Sequence, residues 1–375
     1  MTASIEAKGA AAGLPPVHVI GTGLIGASVG LALRAVDVDV TLADQSETSV
    51  ALARDLGAGR ITGDIAPGLV VIAAPPDVAP RLVLEALQTW PEAVVTDVAS
   101  VKQAILADLV RSGIPLDRYV GSHPMAGRER SGAISARADL FEGRAWVLCP
   151  HEHTDERATG LVGRLARATG AAVSTLSPHD HDAAVAAVSH VPQIAASLVA
   201  ARLEHLSEQA VGLAGQGVRD VTRIAASDPG LWTQILSGNA PAVAAILREV
   251  STDLDRVVAA LEALGSGVDD VADAPGARAV LARSIADGNA GHARIPGKHG
   301  APPAAYAVVR VVVDDRPGEI ARLLTEIGEE GVNLEDLRLD HGLGLPFGLA
   351  EVSVLPTSAG PLTEALQARG WQIQS

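Results

Sequence analysis

Val17-His18-Val19-Ile20-Gly21-Thr22-Gly23-Leu24-Ile25-Gly26 joins a short apolar run to a GxGxxG spacing and continues into Ala27-Ser28-Val29-Gly30-Leu31-Ala32-Leu33. The order reads as strand, tight turn and helix. Gly21 permits the turn, Gly23 lets the backbone approach a diphosphate, and Gly26 allows the helix to pack closely on the strand. Thr22, Leu24 and Ile25 complete a loop at the positive end of the helix dipole, where free N–H groups favour an anion. Outward from it, Asp44 follows the second strand-like run, Val38–Leu42, at the distance expected of a carboxylate that accepts from ribose hydroxyls and repels a 2′-phosphate. That choice favours NAD over NADP. Ala74 closes the next run, Val70–Ala74, at the same edge.

Further runs at Val94–Asp97, Tyr119–Ser122 and Trp146–Leu148 alternate with helical stretches as far as Pro178. Strands alternating with helices imply right-handed crossovers and a mostly parallel, doubly wound, Rossmann-like α/β sheet over residues 14–178. From Ser177 onward the pattern is helical. Ser177-Pro178 suits an N-cap followed by proline, Asp228-Pro229-Gly230 separates two helices, and Asn239 caps a run with Val243, Ile246, Leu247, Val250, Leu254, Val257, Val258 and Leu261 at helical spacing. An all-α domain over 179–290 this apolar needs more than one buried face, and dimerisation supplies one. Glycines and prolines mark 291–303 as a linker. Residues 304–375 then read strand, helix, strand, strand, helix, strand, a ferredoxin-like βαββαβ unit.

The 375 residues are too many for one ordinary core. Hydrophobic residues at 48% and charged residues at 19% suit a packed soluble protein, and with aromatics at 2% the core must be aliphatic. The net charge of −15 repels phosphate backbones and anionic membranes, so neither nucleic acid nor lipid is an expected partner. Cys149 is the only cysteine, which excludes a disulfide framework and a cysteine-based metal cluster; no metal is expected, and a reducing cytoplasm fits. Met1 to Ala12 lacks the basic start and apolar run of a secretory leader.

Ligands of such sheets bind outside the carboxyl ends of the strands. Two polar clusters fall there: Asp97-Val98-Ala99-Ser100-Val101-Lys102 and Gly121-Ser122-His123-Pro124-Met125-Ala126-Gly127. A histidine beside the nicotinamide half of the cleft can take a proton from a substrate hydroxyl while hydride leaves the same carbon. Ser100 could orient that imidazole or bond the nicotinamide. The alternative is structural, with His123 holding a loop and Ser100 capping a helix.

These residues also carry a resemblance. The stretch Gly121 to Gly127 with Glu129, Ser131 and Gly132, the Ser100-Val101-Lys102 stretch, Ser189-His190-Val191-Pro192, and Arg219-Asp220-Val221-Thr222-Arg223-Ile224-Ala225 are together similar to the prephenate and arogenate dehydrogenases, over roughly residues 17 to 290. The resemblance implies an NAD-dependent oxidative decarboxylation of prephenate to 4-hydroxyphenylpyruvate on the route to tyrosine, in which aromatisation drives the reaction. It makes His123 the neutral group that hydrogen-bonds the ring hydroxyl and Ser100 the bridge to the nicotinamide. Arg223 becomes the guanidinium that binds a substrate carboxylate, as a dianion entering an acidic protein would require. Glu129 and Asp220 would close the pocket entrance, and His190 would shape its wall. Where many prephenate enzymes carry a second histidine, this chain has Gln193. That amide could bond a keto acid or an amino acid, which keeps arogenate open as substrate.

Val313 to Ile320, with Pro317-Gly318 at its turn, and Gly331-Val332-Asn333-Leu334 resemble an ACT domain. Such modules pair and bind an amino acid near the positions of Pro317, Gly318 and Asn333, so tyrosine or another aromatic amino acid is the expected effector. A dimerisation module without ligand is the alternative. Competing dehydrogenase classes fit less well. The 3-hydroxyacid dehydrogenases use a lysine in the helical domain, and none occurs between Lys102 and Lys298. The 2-hydroxyacid enzymes that end in an ACT domain carry the glycine fingerprint mid-chain. A non-catalytic NAD and amino-acid sensor would lack a base, whereas His123, Ser100 and Arg223 are all present.

Overall fold

The computed structural model describes residues 2–61, 66–126, 132–266, 276–295, 306–341 and 346–374. The chain divides into two compact units, one of residues 1–205 with 222–249 and one of 206–221 with 250–375.

The first unit runs α1 (Thr2–Ala11), β1 (Val17–Ile20), α2 (Leu24–Arg34), β2 (Val40–Ala43), α3 (Glu47–Asp55), β3 (Arg60–Ile61), β4 (Leu69–Ile72), α4 (Ala79–Thr89), β5 (Val94–Asp97), α5 (Gln103–Arg111), β6 (Tyr119–Pro124), β7 (Ala145–Cys149), α6 (Glu156–Ala168) and β8 (Ala172–Thr175). The strands form one sheet in the order β3-β2-β1-β4-β5-β6-β7-β8. All neighbours are parallel except β6 and β7. The order reverses at β1, between β2 and β4, which opens the crevice where ligands of this architecture bind.

Alternation along the strands builds a core on each face. Val17, Val19, Leu69 and Val71 point to the side of α2, α3 and α6, while Val70, Ile72 and Val95 meet α4 and α5 on the other. Ile20, Ile72, Asp97 and Gly121 stand level across the sheet. His123 therefore projects two residues past the end of β5, supported by its pairing with Val147 of the antiparallel β7.

The expected strands are present with boundaries shifted by one or two residues. Three elements were not foreseen: α1, whose Ala7 and Ala11 are buried, and the strands β3 and β8. Ser177 caps α7 (Pro178–Val185) as expected, its hydroxyl accepting from Asp180 N–H. One π-helical turn, 186–190, leads into α8 (Val191–Ala201). The span Pro178–Ala201 is long and apolar enough, by length and composition, to cross a membrane. Its buried His181, Asp182 and His190 instead bond partners on β6, α5 and Asn239, which makes it a packed element.

Short helices α9 (Glu208–Val211) and α10 (Gln216–Thr222) precede α11 (Pro229–Gly238), which Asp228 caps, then α12 (Ala240–Ser266) and α13 (Ala277–His292). Asn239 stands at the expected cap position, just before α12, with its carbonyl accepting from Val243 N–H at 3.1 Å. Its buried side-chain amide also donates to the Asp182 carbonyl and faces the His190 ring, a tie between helices. Most of the expected linker, from residue 296 on, lies outside the described residues.

Within the second unit, β9 (Ala307–Asp314), α14 (Glu319–Glu329), β10 (Asp336–His341), β11 (Phe347–Val354), α15 (Pro356–Ala368) and β12 (Gln372–Gln374) give the βαββαβ order. Their antiparallel sheet is ordered β10-β11-β9-β12 over a core of Val309, Val311, Leu323, Ile327, Val352 and Leu366. Trp371 closes it, with its indole N–H on Glu326 and the Arg322 guanidinium 4.0 Å from its ring centre.

Candidate active site

The glycine loop follows from close approach. Gly21 has φ +97°, and a Cβ on it would lie 2.2 Å from the Ala73 carbonyl oxygen; on Gly26 it would lie 1.9 Å from the carbonyl oxygen of Gly21. No larger residue fits either place. Gly23 is exposed at the N-cap of α2, no side chain caps the helix, and a Cβ there would meet nothing. An open helix N-terminus of this kind is an anion cradle. Asp44 is fixed beside it. One carboxylate oxygen accepts from the Thr22 N–H at 2.6 Å and the Thr22 hydroxyl at 2.9 Å, and the other accepts from Ser46 N–H at 2.9 Å. Ala74 lies just past the end of β4. The residues present fit a dinucleotide: an open cradle, a backbone stripped of side chains, and a carboxylate held at the end of β2.

At the ends of β5 and β6 the structure assembles a buried polar network. Asp97 accepts from Ala99 N–H at 2.9 Å, from the Tyr119 hydroxyl at 2.7 Å, and from the ammonium of Lys102. Burial, then the neighbouring Asp97, pushes the Tyr119 hydroxyl well above its ordinary range, so it is a neutral donor. Lys102 is 1% exposed and Asp97 fully buried. The backbone N–H groups of Lys102 and Gln103 donate to the two oxygens of Asp182 at 2.9 and 2.8 Å. His181, fully buried, stands between Asp182 and His123: its Nδ1 is 2.8 Å from Asp182 Oδ1 and its Nε2 is 2.9 Å from His123 Nδ1. Burial above all, then the proximity of His181, Lys102 and His190, holds His123 well below the usual histidine range. It is a neutral imidazole, partly exposed, whose Nε2 bonds no described residue.

Ser100 is partly exposed beyond the end of β5, and the partner that His123 takes is His181. His190 is buried in the π turn, bonded to Asn239 and edge-on to Trp232 at 6.1 Å. Insertion of one residue into a helix in this way re-aims side chains, often at functional sites. Gln193, 6% exposed on α8, makes outer-limit contacts of 3.5 Å to Ser197 and Ser227 as its only hydrogen bonds among the described residues, and the Ser227 hydroxyl also bonds the Ile224 carbonyl at 2.7 Å. Its amide is therefore weakly engaged by protein. Arg223 is exposed on a single 3-10 turn, 223–225, that packs beside α8. Asp220, on α10, accepts from Gln216 at 2.8 Å and belongs to the other compact unit. Glu129 lies outside the described residues. Cys149 is no nucleophile: burial pushes its thiol up to about 12.

The family model described as "Prephenate dehydrogenase, nucleotide-binding domain" matches residues 29–175, and "Prephenate dehydrogenase, dimerization domain" matches 177–270. The chain belongs to the prephenate dehydrogenase family. Among the family's curated members, the "Probable prephenate dehydrogenase NovF" of Streptomyces niveus is 37% identical over 95% of this chain and 99% of its own length. The prephenate dehydrogenase of Bacillus subtilis is 30% identical over 86% of this chain and 87% of its own. A crystal structure of prephenate dehydrogenase from A. aeolicus in complex with hydroxyphenyl propionate and NAD⁺ has a TM-score of 0.62 at 27% identity, covering 74% of this chain and 97% of that one. NAD is the cofactor of this family member, which the cradle and Asp44 accommodate.

Burial lowers the titration of three histidines, His18, His123 and His190, below the ordinary 6.5. The unfolded chain would bind protons at 6.5 that the folded chain refuses. Their contribution is thus fully present above pH 6.5 and is lost as pH falls from there toward the lowered values. Thermal unfolding at constant ionic strength is expected to show a falling Tm below that pH. A Tm that rises on acidification through this window would contradict neutral burial.

Proposed function

We propose that this chain oxidises prephenate with NAD⁺ and releases CO₂ and 4-hydroxyphenylpyruvate, a step toward tyrosine. The observation that carries the reading is the neutral His123 at the end of β6, one nitrogen held and the other bonded to none of the described residues, on the same strand-end edge as a dinucleotide loop. Bound NAD⁺ supplies the hydride acceptor. His123 Nε2 takes the ring hydroxyl proton as the carbinol carbon is oxidised. Loss of the opposite ring carboxylate as CO₂ sends the freed electron pair through the ring to the carbinol oxygen. That oxygen takes the proton back from the His123 imidazolium as the phenol hydroxyl, and aromatisation drives the reaction forward. Ser100, no partner of the imidazole here, is assigned to the nicotinamide side. His190 and Gln193 are assigned to the wall around the substrate side chain.

Arg223 is assigned to a substrate carboxylate, which a guanidinium grips bidentately. Arg223→Ala is expected to raise KM about tenfold or more with kcat changed far less, the loss of a charge-assisted contact made equally in ground and transition states. Steady-state kinetics check this, and an unchanged KM removes Arg223 from the carboxylate site.

The domains are read as 14–178 for NAD, 179–290 for dimerisation and substrate, and 304–375 as an ACT module joined by 291–303. A homodimer accounts for Val250, Leu254, Val258 and Leu261, which form one stripe on α12 and are 43–58% exposed in the single chain. The ACT reading is supported by the βαββαβ order and the 4-1-3-2 strand arrangement. It assigns an aromatic amino acid, tyrosine first, to the surroundings of Pro317, Gly318 and Asn333, all exposed.

Initial-rate NADH formation with prephenate or arogenate tests the main reading. Faster turnover of prephenate supports it. Faster turnover of arogenate would favour a second reading, for which the buried and weakly engaged Gln193 amide is the motivating observation. Turnover of neither overturns both.

A further inference from the structure

We infer that His181 and Asp182 are positioning residues that hold His123 as its Nδ1–H tautomer, so that the Nε2 lone pair is the one offered to a substrate hydroxyl. The inference rests on the reading of His123 as the base. Both oxygens of Asp182 face backbone N–H donors at the start of α5, so the carboxylate acts as an acceptor throughout. His181 Nδ1, 2.8 Å from Asp182 Oδ1, must then carry its proton and donate. A neutral His181 protonated on Nδ1 has a bare Nε2. That nitrogen can only accept, and the atom 2.9 Å away is His123 Nδ1. The proton on His123 is thereby assigned to Nδ1, and Nε2 is left basic.

The reverse arrangement requires a doubly protonated His181 donating to His123 Nδ1, which would put the remaining proton on His123 Nε2 and leave no base. It would also bury a full positive charge on a side chain with no exposed surface. An imidazolium there loses its hydration with only a carboxylate already shared by two N–H donors to compensate it. When His123 accepts the hydroxyl proton on Nε2, no bond to His181 is made or broken. The new imidazolium keeps donating through Nδ1, and its charge is stabilised along the chain that ends at Asp182.

Asn239 anchors the device, since its amide donates to the Asp182 carbonyl at 2.8 Å and so holds α7 against the start of α12. The pair therefore links the imidazole at the end of β6 to the first turn of α5 and to the helical segment.

The decisive experiment is long-range ¹H–¹⁵N correlation on the full-length protein with ¹⁵N-labelled histidine at pH 7.5, signals assigned by their loss in His123→Asn. His123 is expected as the Nδ1–H tautomer, the one free histidine disfavours; an Nε2–H spectrum overturns the inference. No substrate is present, so this result stands apart from whether prephenate is turned over. Kinetics supply the second arm. His181→Leu offers no acceptor and is expected to lower kcat at least ~100-fold with KM and NAD affinity little changed. His181→Gln places an amide oxygen where Nε2 stood and is expected to recover most of that loss. Equal losses in the two variants, or a folded His181→Leu enzyme with wild-type kcat, would overturn it.

Discussion

His123→Asn is expected to lower kcat by about three orders of magnitude while NAD affinity stays at the wild-type level. Asparagine ends where the imidazole Nδ1 lies, so its amide can keep the contact to His181 and the strand pairing that β7 supplies. What vanishes is Nε2, which bonds none of the described residues. The cofactor groups, Gly21 to Gly26 and Asp44, stand on other strand ends and are untouched. The pH profile sharpens the test. Because burial, helped by His181, Lys102 and His190, lowers the titration of His123 well below 6.5, the wild-type kcat should stay flat across neutrality and fall only on an acid limb below that value. That limb should be missing from the asparagine variant's residual activity. Comparable turnover in the two proteins would remove His123 from proton transfer.

How much of this was legible beforehand varied with the range of the interaction. The glycine loop, Asp44 and the two strand-end clusters were readable because their chemistry is local: turn, strand end and helix start lie within a few residues. The βαββαβ order of the C-terminal unit followed from periodicity alone. Strand β3 escaped because two residues at a sheet edge carry no period, and β8 because its burial does not alternate. His181 and Asp182 escaped for a different reason. Pro178-His179-Asp180-His181-Asp182 reads as the solvated start of a helix, and only folding shows that two of these face inward, toward partners 58 and 80 positions away in sequence. The imidazole partner expected of Ser100 was thus given to a residue on another element. Asn239 shows the same limit: a residue at a cap position was also recruited by a carbonyl 57 positions distant.

Lys102→Met is expected to destabilise the protein by about 3–5 kcal/mol, the cost of removing one partner from a buried ion pair. The methionine fills most of the lysine's space, so little of the loss is cavity. The penalty comes from Asp97, fully buried, whose carboxylate would retain the Ala99 N–H and the Tyr119 hydroxyl but no counter-charge. Urea unfolding of the two proteins measures it, and a shift below about 1 kcal/mol would mean that the ammonium is not what stabilises Asp97. The double replacement Lys102→Met with Asp97→Asn removes both charges and should recover a large part of the loss, since replacing a whole buried pair is often close to neutral. Activity should not return with stability. Lys102 is one of the charges that hold His123 neutral. A stable double variant with a raised acid limb in kcat would show that this pair sets the electrostatics of the base as well as the integrity of the sheet beneath it.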